Sequence, residues 1–214
     1  MAKSGRHVEG ARTRERILEA AAALIAAQGY AATSIAQISE RSGANPASLY
    51  WAFGSKEGVL AAVMEKAADE FFLRVAPLQG DDPWQSLRDM ADAFVGGPEF
   101  LRLMLVLSLE RREGDPEVLK AARRIRQHAR EGLAAIYTRA FPCKDAFAQR
   151  AACDRLARMT LMLFDGVFVA SQIERDTTDL RRSFETIALA VQATGQRMFE
   201  SAARGEGTPT PAGG

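Results

Sequence analysis

Histidine and cysteine are scarce in this 214-residue chain, with two of each. That scarcity removes most metal and redox chemistry. His7 and His128 cannot supply the paired Glu-x-x-His motifs of a di-iron bundle, because neither has a glutamate three residues before it. HExxH, GxSxG and the phosphate-cradling P-loop are absent as well. Cys143 and Cys153 lie ten residues apart, which is neither a CxxC nor a metal-ligand spacing, and on one helix they would point to different faces. They read as thiols without assigned chemistry in a reducing compartment, a redox sensor being the alternative. No catalytic residue, metal or cofactor is expected.

An excess of one charge is also missing. Lys and Arg number 28 against 27 Asp and Glu, so attraction to nucleic acid would have to come from a local patch and not from bulk charge. Long apolar runs are missing too: the longest, Ala20 to Ala27 and Leu103 to Leu109, fall short of the roughly 18 residues a membrane span needs. The start, MAKSGRHVEGARTRER, is polar and basic and has no apolar signal region. A cytoplasmic protein with no membrane partner is the expectation. Sustained apolar-polar alternation is absent, and the apolar residues recur at helical period, which predicts an all-α chain.

The first helix is expected from Thr13 as N-cap, with Ile17, Leu18, Ala21, Leu24 and Ile25 on one stripe and Gly29 as its stop. Residues 1–12 before it, together with Arg14 and Arg16 on its first turn, carry a basic arm (Lys3, Arg6, Arg12) that is either a flexible solvated tail or an extra phosphate or minor-groove contact. Ser34 and Gln37 fit a capping box for a short second helix with Ile35 and Ile38 inward, ending at Gly43. Asn45 and Pro46 then open a third, in which Leu49 and Phe53 point inward. Gly54 breaks it, Ser55 caps the next, and a long connector helix follows with Leu60, Val63, Met64, Ala67 and Phe71 as its stripe. Further helices are expected near 84–95, 99–111, 116–140, 145–174 and 178–203, with a disordered tail at 205–214.

Two short helices, 34–42 and 46–52, joined by a three-residue turn containing Gly43, form a helix-turn-helix pattern. Leu49 occupies its inward side, and Tyr50 and Trp51 lie about 100° and 200° away. Those aromatics are either amphipathic core residues or are displayed for DNA phosphates, sugars and bases. Lys56, in the first turn of the connector, sits against the usual dipole preference for anions, a conflict that a nearby phosphate would remove; a solvated lysine is the bland alternative.

Thr33-Ser34-Ile35, Ile38, Gly43, Leu49-Tyr50, Phe53, Ser55-Lys56-Glu57 and Leu60 resemble the N-terminal domain of the tetracycline-repressor-like (TetR) transcription factors, over about residues 12–62. The resemblance implies a helix-turn-helix DNA-binding domain at 13–60, a helical ligand-binding and dimerisation domain at 61–204, and a homodimer. Carried over by position, Thr33 and Ser34 would bind a phosphate at a helix N-terminus. Asn45, Ala47, Ser48 and Trp51 would face bases or adjacent backbone, while Tyr50 and Lys56 would bind phosphate. Many relatives have Gly at the position of Ala47, a basic residue at that of Pro46 and His at that of Ala52, which makes the operator hard to infer.

The resemblance also implies partners: a double-stranded DNA operator, a second copy and a small-molecule inducer. Apolar residues sufficient to line an inducer cavity include Phe94, Phe100, Met104, Tyr137, Phe164 and Phe168. Asp165 interrupts an apolar stretch and is either buried with a partner or placed at an opening; His128, in a basic stretch, is expected at the surface. Helices around 150–173 and 180–200, with Ala157, Gly166 and Ala170 permitting close approach, would pair with their symmetry mates. The expected function is a ligand-responsive transcriptional regulator, most simply a repressor. The rival is a helical adaptor that keeps the fold without binding DNA.

Overall fold

The computed structural model describes residues 2–76, 82–96, 101, 104, 116–174 and 179–203. Among these residues there are eight helices and no strand: α1 (Ala2–Gln28), α2 (Ile35–Ser42), α3 (Pro46–Phe53), α4 (Lys56–Val75), α5 (Pro83–Gly96), α6 (Pro116–Ala140), α7 (Ala146–Ile173) and α8 (Leu180–Ala203). The expected tail at 205–214 and most of the expected helix at 99–111 lie outside the described residues. The described residues fall into two compact units, one within 1–71 and 99–125, the other within 72–98 and 126–214.

α1 begins at Ala2 and not at Thr13, so the segment expected to be a flexible arm is helical. No proline interrupts residues 2–16, and extending an existing helix adds one bond per residue without a new nucleation cost. The short helices end and begin where their local chemistry dictates. Ser34 accepts the Gln37 N–H while the Gln37 side chain accepts the Ser34 N–H, a reciprocal cap that satisfies two donors. Gly43 takes φ 66°, a left-handed conformation that a side chain would strain, and so ends α2. Asn45 Oδ1 accepts the Ser48 N–H at 2.8 Å and Pro46 occupies the first position of α3.

A core cluster in the first unit gathers Ile17, Leu18, Ala21, Ile38, Ala44, Leu49, Val59, Ala62 and Val63, with Leu24, Ile35 and Phe53 packed at its edge. Leu49 has no exposed surface, and burying a leucine side chain is worth about 1.5–3 kcal/mol. α4 is buried on every side from Val59 to Met64, a wider commitment than the single stripe expected. Further along, Ala68 is buried and Ala67 only half so. Lys66 pairs with Glu15 of α1, and Arg124 of α6 with Glu65. These ties carry the first unit past the division expected at residue 60.

In the second unit α8 packs on both α7 and α5. Its core is aromatic: Phe164 stacks on Phe184 at 4.7 Å, Trp84 meets Phe141 edge-on at 5.5 Å, and Phe141 stacks on Phe199 at 5.0 Å. A Cβ on Gly195 would overlap the Phe141 ring, so the bare backbone of α8 is what lets that ring lie flat. Gln149 donates to the carbonyls of Thr138 and Phe141, satisfying the end of α6 from α7. Ala157, expected at a contact between copies, is fully buried inside its own unit, because it shares a face of α7 with Cys153, Leu156, Thr160 and Phe164. By length and mean hydropathy α7 would suffice to cross a membrane, and most of its apolar window is not buried. Counting uninterrupted apolar runs overlooks this helix because Arg158 and Asp165 divide it.

Two glycines with opposite surroundings test this packing. A Cβ on Gly58 would overlap the backbone carbonyl of Phe53, whereas one on Gly132 would meet open space. Gly58→Ala should destabilise by about 1–3 kcal/mol through overpacking. Gly132→Ala should stabilise by about 0.5–1 kcal/mol through helix propensity. Urea unfolding of the two variants reads both signs; equal effects would show that the tight approach at Gly58 is absent in solution.

Candidate nucleic-acid interface

With Leu49 buried, the remaining faces of α3 are turned outward. Trp51 is 90% exposed and Tyr50 54%; Ala47 is exposed and Ser48 half-buried. An indole exposed to this extent contributes nothing to the core. Asn45 is exposed; its Oδ1 accepts the Ser48 N–H as the α3 cap, which sets the orientation of the amide and leaves its N–H groups and one oxygen lone pair for a partner. Ser34 likewise spends its hydroxyl on Gln37, while the N–H groups of Ile35 and Ala36, in the first turn of α2, have no acceptor within the helix.

Thr33 departs from expectation. It is 2% exposed, its hydroxyl donates to the Gly29 carbonyl at 2.8 Å, and its N–H donates to the Tyr30 carbonyl. A side chain so placed cannot reach a phosphate. It holds the turn between α1 and α2, assisted by Gln28, whose amide donates to the Ala32 carbonyl and the Gln37 side chain.

Lys56 is neither free nor ion-paired in a simple way. Its ammonium lies 4.2 Å above the Tyr30 ring, and the Tyr30 hydroxyl donates to Glu57 at 3.2 Å. The Glu57 carboxylate is held below its usual pKa. Its own backbone N–H is the main cause, with the Ser55 and Tyr30 hydroxyls and the Lys56 charge adding to it and partial burial opposing. Sequence reasoning gave no role to Tyr30 or Gln28, and quoted Glu57 only within the Ser55-Lys56-Glu57 match. Tyr30 follows the stop glycine of α1 and reads as a loop residue, and its partners are 26 and 27 positions away. Arg14, reached by the basic-arm argument, packs its guanidinium 5.1 Å from the Phe53 ring centre.

The residues expected at an inducer site separate. Tyr137, Phe164 and Phe168 are buried in the second unit. The Thr160 hydroxyl donates to the Leu156 carbonyl, so Tyr137 is the donor in its 2.6 Å bond to Thr160. Burial pushes the phenol far above its ordinary pKa. Asp165 is at the surface, where it takes both arms of the Arg126 guanidinium at 3.1 and 2.9 Å. Met104 is buried, and the side chains of Phe94 and Phe100 lie outside the described residues. His128 is exposed, as expected, with its ring edge-on to Phe72 at 4.5 Å.

A capped helix-turn-helix, whose second helix is anchored by Leu49 and Phe53 and displays Tyr50 and Trp51, has the form of the helix-turn-helix domains. Residues 17–63 match the model of the bacterial regulatory proteins of the tetR family. It is 35% identical over 104 residues to the HTH-type transcriptional repressor NicS of Pseudomonas putida, a match covering 46% of this chain and 49% of the relative. The chain thus spans about half the length of that relative. The fold extends further: a transcriptional regulator from Rhodococcus sp. Rha1 superposes with TM-score 0.68 at 15% identity, over 85% of this chain and 96% of that one. The SmeT–triclosan complex superposes at 0.65 with 25% identity, over 85% and 90%.

The Tyr30–Lys56 contact is open to measurement. In a double-mutant cycle on unfolding free energy, Tyr30→Leu and Lys56→Met should couple by about 0.5–1 kcal/mol. Tyr30→Phe should retain that coupling while losing the bond to Glu57. Additive single effects would show that Lys56 does not rest on the ring.

Proposed function

We propose that this chain is a ligand-responsive DNA-binding transcriptional regulator, most simply a repressor, which binds a pseudo-palindromic operator as a homodimer and is released by a small-molecule inducer. The observation that carries this reading is α3: buried at Leu49, it holds Trp51 and Tyr50 out in water beside Ala47, Ser48 and Asn45. The relatives' name as repressors supports the direction of regulation. α3 enters the major groove, the first turn of α2 meets a phosphate through its N–H groups beside Ser34, and Tyr50 and Lys56 contact phosphates. Thr33 is a turn-holding residue in this scheme.

The outer face of α7 supports a homodimer. Met162, Gly166 and Ile173 repeat at helical spacing, with Met162, Leu163 and Ile173 exposed on α7 and Leu189 exposed on α8. A second copy covering these side chains would account for an apolar helix in a cytoplasmic protein. Two recognition helices must then sit about 34–36 Å apart to reach successive major grooves. An inducer in the second unit, near Tyr137, Phe164 and Phe168, would favour a dimer with the wrong spacing, and α4 is the continuous helix through which a tilt could pass. The triclosan held by SmeT supports small-molecule binding within this fold. A 100-fold loss of operator affinity requires about 2.7 kcal/mol of coupling.

Selection from a random duplex pool, followed by affinity against salt, tests the reading. A two-fold-related site with a steep salt slope is the expected outcome. Tyr50→Phe and Lys56→Ala should each weaken binding, and Lys56→Ala should lower the slope by about one. A folded dimer that enriches no sequence, with and without extraction of bound ligand, would favour the adaptor.

A further inference from the structure

Helix-turn-helix domains read base edges mainly with the N-terminal residues of the second helix. Here those residues are Pro46, Ala47, Ser48, Tyr50 and Trp51, and α3 as a whole contains no charged residue and no amide side chain. The arginine or lysine fork that reads guanine and the carboxylate that reads cytosine are therefore absent from the helix. Asn45, just before it, is tied by its oxygen to the Ser48 N–H, so a two-point grip on adenine would compete with the α3 cap for the orientation of its amide.

What α3 offers instead is apolar. Ala47 and Trp51 are four residues apart and so share a face, one turn separating the exposed methyl from the exposed indole. The only apolar group on any base edge in the major groove is the C5-methyl of thymine. The cations that complement DNA lie off this helix: Arg12, Arg14 and Arg16 on α1, Arg41 on α2 and Lys56 on α4. Off the recognition helix, they suit contacts to phosphates, which carry no sequence information.

We propose, resting on the DNA-binding reading above, that each operator half-site is recognised through thymine methyl groups seated against Ala47 and the indole of Trp51. Specificity then comes from methyl burial, with Ser48 and the single donors of Tyr50 and Trp51 adding orientation.

The test uses the full chain and a duplex obtained by selection, in which each thymine is replaced singly by deoxyuridine. This removes one methyl and leaves base pairing intact. Affinity should fall about fourfold at one or two positions per half-site. In Ala47→Gly or Trp51→Ala protein, the penalty at the corresponding position should vanish, because the methyl has lost its seat. Both residues are exposed, so circular dichroism should report an unchanged fold. If the operator is bound and every deoxyuridine duplex binds like the parent, methyl recognition is wrong while DNA binding stands. A penalty that persists in both variants would assign the methyl to another residue and overturn the inference. Failure to obtain any operator would overturn the DNA-binding reading, and this one with it.

Discussion

Leu49, on an eight-residue helix, sits within a cluster to which α1 contributes Ile17 and Leu18, α2 Ile38 and α4 Val59. A helix that short has almost no stability of its own, because nucleation costs more than its few hydrogen bonds return. Its orientation therefore depends on this buried leucine, on Phe53 at the edge of the cluster and on the caps at its ends. With Leu49 inside, neighbours at 100° and 200° must face outward, and the exposure of Tyr50 and Trp51 follows from helical geometry. The interface is thus a consequence of the core.

The second constraint is the junction where α1, the following turn and α4 meet. Thr33, Gln28 and the Ser34–Gln37 box spend their polar groups on one another, and Tyr30 supports Lys56 on its face and Glu57 on its hydroxyl. A cation at a helix N-terminus is unfavourable by the dipole alone. The ring beneath it and the carboxylate beside it offset that cost and limit the directions in which the ammonium can project. The second unit solves a different problem: its core stacks rings, accommodates the Phe141 ring against Gly195, and satisfies its buried phenol through Thr160.

Some of this was legible in the residues. The capping box at Ser34 and Gln37, the cap at Asn45, the left-handed Gly43 and the inward Leu49 are local features, each decided within four or five positions of chain. The helical start at Ala2 was not, since residues 2–12 carry two glycines and several charges and depend on propagation from the segment that follows.

Local chemistry alone determined the all-helical class, the boundaries of the short helices and which residues of α3 face out, because capping, periodicity and backbone preference act over one or two turns. Only tertiary structure decided that Lys56 rests on Tyr30, that Asp165 pairs with Arg126 and that Ala157 belongs to its own core. Those outcomes join side chains far apart along the chain or choose between two faces of one helix. No local preference distinguishes such alternatives; they are settled by which partner is within reach once the helices have packed.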